Sequence, residues 1–209
     1  MRNLTITIAL LSVLLSANFG QTQELRKDDN NRNDNKEHSL PCRPERTVIN
    51  AQGPTGKANL DRSDFFANFD PVVWNKLLDP ATNQFNQTAI NQAFAYTFHF
   101  PVGGKECCRC IEGATLTVTL KALQTGPAGS ASSGNDGISI LSSLAPGNKV
   151  IGQALWPNGA TAGQTETLTF QIPCKYLTNG HISFYVEDDT AVLSAQLTLS
   201  RCCLLPEGK

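Results

Sequence analysis

The residues of this chain best equipped for chemistry are its cysteines and two clusters of acidic side chains. Seven cysteines stand at positions 42, 107, 108, 110, 174, 202 and 203. Thiols this dense either bridge one another or hold a metal. The run Cys107-Cys108-Arg109-Cys110 and the pair Cys202-Cys203 lack the paired C-x2-C spacing of structural zinc sites, so the pattern points to disulfides. An odd count leaves one thiol free or paired between chains. The acidic clusters are the turns Ser133-Gly134-Asn135-Asp136-Gly137 and Glu187-Asp188-Asp189-Thr190. Two arrangements satisfy carboxylates placed there: Ca²⁺ held by the oxygens of Asn135, Asp136, Asp188 and Asp189 with backbone carbonyls, or turn chemistry in which each Asp accepts backbone N–H bonds.

Catalytic signatures are missing. The chain has no Gly-x-Ser-x-Gly elbow, no His-Glu-x-x-His and no phosphate-cradling glycine loop. Of three histidines, His38 falls in a polar leader, and His99 and His181 fall on the outward parity of strands, where solvated histidines are commonplace. A glycosidase pair drawn from Glu112, Glu166, Glu187, Asp188 and Asp189 would need a separation that sequence alone does not supply. Trp156, in the loop Leu155-Trp156-Pro157-Asn158-Gly159, either stacks on a sugar ring or packs beneath its own loop.

The elements that must position these residues follow from composition and period. Arg2, the apolar stretch Leu4 to Leu15 and the small residues before Gln21 have the layout of a secretory signal over residues 1–20. The stretch is shorter than the roughly 20 residues of a membrane span. Residues 21–40 are charged and amide-rich, with too few apolar side chains to offset the entropy of ordering. Residues 41–205 are expected to form one domain. Net charge is −1, with 17 basic and 18 acidic residues and no basic stripe, which argues against nucleic acid as a partner. Secretion, to the cell exterior, cell surface or periplasm, is therefore expected.

Asp70 as N-cap, Pro71 at the first helical position and Pro80 as a stop predict one short helix. From residue 93 the apolar period is two. It runs through Phe94-Tyr96-Phe98, Leu116-Val118-Leu120, Ile138-Ile140, Leu168-Phe170-Ile172, Ile182-Phe184-Val186 and Leu197-Leu199. Six half-buried strands predict an all-β, antiparallel, jelly-roll-like sandwich, with 124–137 and 145–163 as loops. Parity carried back from Leu116 and forward from Leu199 turns Cys108, Cys110 and Cys203 inward and Cys107 and Cys202 outward. If these strands pair antiparallel, the candidate bridges are Cys107–Cys202 and Cys110–Cys203, with Cys108 as the alternative partner of Cys203, leaving Cys42 and Cys174 to pair with each other or with the spare member of the triplet.

The segments Ala93-Phe94-Ala95-Tyr96-Thr97-Phe98, Gly113-Ala114-Thr115-Leu116-Thr117-Val118, Asn135-Asp136-Gly137-Ile138-Ser139-Ile140 and Val186-Glu187-Asp188-Asp189-Thr190-Ala191-Val192 resemble exported bacterial β-sandwich modules of PEP-CTERM-type surface proteins. The resemblance spans residues 90–200 and does not include the sorting tail. The expected role is a secreted, non-catalytic module binding an extracellular carbohydrate or protein through its loops. The alternatives are a structural component of the extracellular matrix or cell surface and, behind both, a glycoside-active enzyme. No cofactor is expected apart from the Ca²⁺ considered above.

Overall fold

The computed structural model describes residues 42–204 except 54–55, 57–58, 103–109, 128–135 and 188. Among the described residues the strands are β1 (Cys42–Asn50), β2 (Phe94–His99), β3 (Cys110–Ala122), β4 (Gly126–Pro127), β5 (Gly137–Leu141), β6 (Lys149–Ala154), β7 (Gly159–Ala160), β8 (Thr165–Pro173), β9 (His181–Val186) and β10 (Thr190–Leu204), with helix α1 (Pro71–Leu78) between β1 and β2. Two four-stranded sheets have the orders β1-β10-β3-β8 and β2-β9-β5-β6, and β4 pairs with β7 alone. Setting that small pair aside, the first strand pairs with the last, the second with the second last, and so inward to β5–β6. That is one long antiparallel hairpin wound into two facing sheets, the antiparallel jelly-roll sandwich expected from the alternation. No helix among the described residues is long and apolar enough to cross a membrane.

Alternation builds the core. Phe94 and Phe98 of β2, Ile138 and Ile140 of β5 and Phe184 of β9 meet Leu116, Val118 and Leu120 of β3 and Leu197 and Leu199 of β10, all buried. The outward positions of the first sheet are short and polar: Thr115, Thr117 and Thr119 of β3, Thr167 and Thr169 of β8, and Gln196 and Thr198 of β10. The register sets them side by side. Thr115 donates to Gln171 across the strands at 3.0 Å.

The second sheet is different. Every residue of β2 but His99 is buried, the outward Ala95 and Thr97 included, because residues 59–93 fold over its outer face as an arm. Phe65, Phe69 and Leu77 of the arm pack on Ala95, Leu141 and Tyr185, with the Phe69 and Tyr185 rings edge to face at 5.3 Å. Helix α1 begins as expected: Asp70 Oδ1 accepts from Val72 N–H at 2.7 Å, with Pro71 at the first position. The arm also satisfies the open edge of β2. Asn83 accepts from Ala95 N–H and donates to Ala95 O, both at 3.0 Å, and Asn59 does the same for Thr97 at 2.9 and 3.1 Å. Two side-chain amides thus stand in for a neighbouring strand on an edge that would otherwise offer unpaired backbone groups.

Two features depart from the expectations. Strand β1 lies where the sequence predicts no element, and β6 lies in the segment 145–163 expected to be a loop. Both are sheet edges with mostly exposed side chains, and without a fully buried row they carry no clear alternation. A bulge also interrupts the pairing of β3 with β10: Ser200 faces Gly113 but Arg201 faces Ile111, which leaves Glu112 as the extra residue. An unbroken ladder continuing the Leu116–Leu197 pairing would bring Cys110 to Cys203. The bulge instead sets Cys110 opposite Cys202, while Cys203 faces Arg43 of β1. Cys107 and Cys108 lie outside the described residues, as do the side chains of Cys42, Cys110, Cys202 and Cys203. Cys174 is a free, exposed thiol.

Removing the amide that caps β2 strands two buried backbone groups of Ala95. Asn83→Ala is expected to lower unfolding free energy by about 3 kcal/mol, measured by urea denaturation. Gln84→Ala, at the exposed neighbouring position, is expected to change it by less than about 0.5 kcal/mol.

Candidate functional site

Three polar constellations lie among the described residues, and each is built by the arm or by the strand ends. The first is buried. Asp64, fully shielded from solvent, accepts from Ser143 N–H at 2.8 Å and Ser183 Oγ at 2.7 Å, and pairs with His181 Nδ1 at 3.0 Å. A hydroxyl carries one proton, so Ser183 donates to Asp64 and receives from Thr97 Oγ1 at 2.7 Å. Thr97 in turn receives from Asp61 N–H at 3.0 Å. His181 and Asp64 have the spacing of the base and orienting carboxylate of a triad, but Nε2 faces Asp61 Oδ2 at 3.5 Å, where a triad would place its nucleophile. The cluster therefore works as a latch between arm and sheet. His181, which parity predicts as a solvated surface residue, is half-buried within it; His99 keeps its exposure and bonds Asn59 O through Nε2.

Partial burial pushes the Asp61 carboxyl up, but the Ser63 hydroxyl and N–H, followed by the charges of His181 and His99, outweigh it and hold the group below the ordinary carboxylate range.

The second constellation is the acidic corner. Asp136 is buried and accepts from Asp189 N–H at 2.8 Å; Asp189, also buried, accepts from Asn91 N–H at 2.9 Å. Both carboxylates thus accept backbone N–H bonds from distant parts of the chain, tying the start of β5, the β9–β10 turn and the approach to β2 together. Asn135 and Asp188, the other two residues considered for Ca²⁺, lie outside the described residues, and among the described residues no three His, Cys, Asp or Glu side chains converge as metal ligands. Trp156 is also a structural residue and not a solvent-facing platform. It is 3% exposed and its indole N–H donates to Thr190 Oγ1 at 2.8 Å. Of the residues considered for a glycosidase pair, Glu112 and Glu166 belong to the first sheet and Glu187 follows the end of β9 in the second.

The third constellation is a surface groove on the outer face of the second sheet, where the arm covers only the Leu141–Lys149 end of β5 and β6. Two depressions adjoin at Glu187. One, about 220 Å³, lies between α1 and β9 and is lined by Lys76, Thr82, Gln92 and Tyr185. The other, about 410 Å³, lies over β5 and β6 and is lined by Gly137, Ser139, Lys149, Gly152, Gln153 and Ala154. Its floor is low because the outward residues of both strands are small: Ser139 pairs with Gly152 and Gly137 with Ala154. Lys149 lies along the floor, its Cδ 3.2 Å from where a Cβ on Gly152 would stand. Of these residues only Glu187 stands out in the sequence. Small residues at alternate positions of β5 and β6 are the available signal, and it is unreadable until β6 is known to be a strand.

No protein-family model and no curated protein sequence matches this chain. Solved structures similar to it include latent PorU from Porphyromonas gingivalis (TM-score 0.39, 12% identity), over 79% of this chain and 13% of the PorU chain. The Tobacco streak virus coat protein is similar at TM-score 0.33 and 8% identity, over 78% of this chain and 92% of that one. A structure described as "CBM4 structure and function" is similar at 0.30 and 13%, over 58% and 67%. This chain thus spans only a small part of the PorU chain, and the jelly roll is established by its own strand order.

Breaking the latch from the arm side leaves His181 and Ser183 without their shared acceptor. Asp64→Ala is expected to cost about 3–5 kcal/mol in chemical denaturation. A carboxyl held low in the folded state, as Asp61 is, stabilises above its unfolded value and ceases to do so as pH falls through its folded value. Melting temperature is therefore expected to drop below about pH 4, and to drop less steeply in Asp61→Asn.

Proposed function

We propose that this chain is a secreted, non-catalytic binding module whose partner is an extracellular carbohydrate or protein. The observation that carries this reading is the groove around Glu187. It is concave, rimmed by amide, hydroxyl and charged side chains from two separate parts of the chain, and open over β5 and β6. Binding sites are of this kind, whereas the latch and the acidic corner use their polar groups internally. The non-catalytic part of the reading is supported by His181 Nε2 facing Asp61. Export would bring the cysteines into an oxidising compartment, and the pairing of Cys110 with Cys202 in the backbone register makes that couple the first to seek by non-reducing peptide mapping.

The test is retention of the purified mature domain on immobilised extracellular polysaccharides and on extracellular proteins, with soluble products assayed in parallel. Saturable retention with no product released is expected. Release of reducing sugar would overturn the non-catalytic reading. Absence of retention, together with concentration-dependent self-association in light scattering, would replace it with a structural role.

A further inference from the structure

We infer that the Glu187 groove takes a neutral oligosaccharide, an assignment that rests on the binding-module reading and gives it a site and a ligand class. Charge, shape and hydrogen-bonding type agree on this class. Lys76 lines one depression, Lys149 the other, and Glu187 both, so charges of both signs are present and no single-sign field favours an anionic or cationic polymer. Asp136 also lines the groove but is buried, with its carboxylate accepting from Asp189 N–H. The remaining polar lining on the outer face, Thr82, Asn91, Gln92 and Ser139, consists of neutral groups that donate and accept, as sugar hydroxyls do. Hydrogen bonds from charged side chains to hydroxyls are the stronger ones available at such a surface. Apolar lining is concentrated in the smaller depression, where Val73 and Ala93 stand beside Tyr185, which is 8% exposed with its ring packed on Phe69. A peptide helix or an apolar side chain would therefore find no hot spot here. An extended peptide pairing with the β6 edge is the competing occupant. It would use backbone groups of β6 and leave the small-residue floor unfilled.

The size agrees. The two depressions, about 220 and 410 Å³, together fall in the range of about 300–1,000 Å³ typical of small-ligand sites. This fits a short run of sugar units better than a flat polymer surface. The hydroxyl-lined outer face of the first sheet lies on the opposite side of the sandwich and serves as the control surface.

Isothermal titration with soluble neutral gluco-, manno- and xylo-oligosaccharides tests the assignment, with uronic oligosaccharides and extended peptides titrated alongside. Gly152→Val fills the floor at a position whose close neighbour is the flexible Lys149 side chain, on a strand that favours valine. It is expected to keep the melting temperature and to weaken neutral-sugar binding more than about tenfold, the loss of more than one hydrogen bond's contribution. Lys76→Gln and Glu187→Gln, on the exposed rim, are each expected to weaken it roughly tenfold, the loss of one charge-assisted hydrogen bond. Thr117→Glu, on the opposite sheet, is expected to leave it unchanged. Sugar binding that survives Gly152→Val and fails in Thr117→Glu would overturn the groove while leaving the binding module standing. Peptide or uronic binding abolished by Gly152→Val, without neutral-sugar binding, would overturn the ligand class alone. No binding from any of the three panels would overturn the inference, with polymer retention then deciding the broader reading.

Discussion

The Asp64 carboxylate is the constraint on which the outer half of this molecule depends. A carboxylate with no solvent exposure is strongly unfavourable unless its oxygens are met by donors, and its donors come from two other places: the backbone of Ser143 after β5 and the side chains of Ser183 and His181 on β9. The arm can bury Asp64 only against a sheet that is already paired. The sheet, in turn, needs the arm, because Ala95 and Thr97 on the edge of β2 obtain their outer hydrogen bonds from Asn83 and Asn59. Arm and sheet are therefore cooperative, joined by the polar latch at Asp64 and by the Phe65–Phe69–Trp74–Tyr185 aromatic cluster next to it. Non-directional apolar contact supplies the attraction. The directional latch supplies the seating.

That seating determines where a groove is left. Helix α1 ends at Leu78, and the arm covers β2 and β9 but only the Leu141–Lys149 end of β5 and β6. A sheet face left open by larger outward residues would be flat or convex. Here Gly137, Ser139, Gly152 and Ala154 keep it low, so the edge of the arm becomes a wall and the sheet becomes a floor. The depression follows from a difference in side-chain size across one sheet, and it requires no distortion of backbone at Gly152, which lies within β6.

What is legible in the sequence divides along the same physical line. Strands with one face in the sandwich core announce themselves by alternation, as β2, β3, β5, β8, β9 and β10 do. The helix is legible through Asp70 and Pro71, whose capping chemistry is local. Strands β1 and β6 are not, because an edge strand with a largely exposed surface has no buried row to repeat. Parity also fails across a bulge. One additional residue, Glu112, shifts the positions of β3 on its Cys110 side by one step relative to β10, and no local composition marks it beyond the neighbouring Gly113. The outward histidines illustrate a third limit: period reports which side of a strand a residue occupies, not what later covers that side. His181 lies on the face that parity predicts, but under the arm instead of in solvent. The groove shares that limit, since its walls come from the arm and its floor from a strand without alternation.

The two sheets consequently have different tasks from the same strand chemistry. The first sheet, with threonines in register on its outer face, contributes a core surface and a polar exterior, and the interstrand hydroxyl bonds there are satisfied within the sheet. The second exchanges solvation for a polypeptide cover and, at the border of that cover, exposes polar groups from the arm and from the strands within reach of one another. Lys76 belongs to the arm, Lys149 and Ser139 to the sheet, and Glu187 stands where the two meet. A ligand touching all of them would contact the seated arrangement and not the open one, so its binding free energy would add to the arm's own docking energy by mass action. The groove and the latch are thus coupled through the same rigid seating, even though no side chain is shared between them.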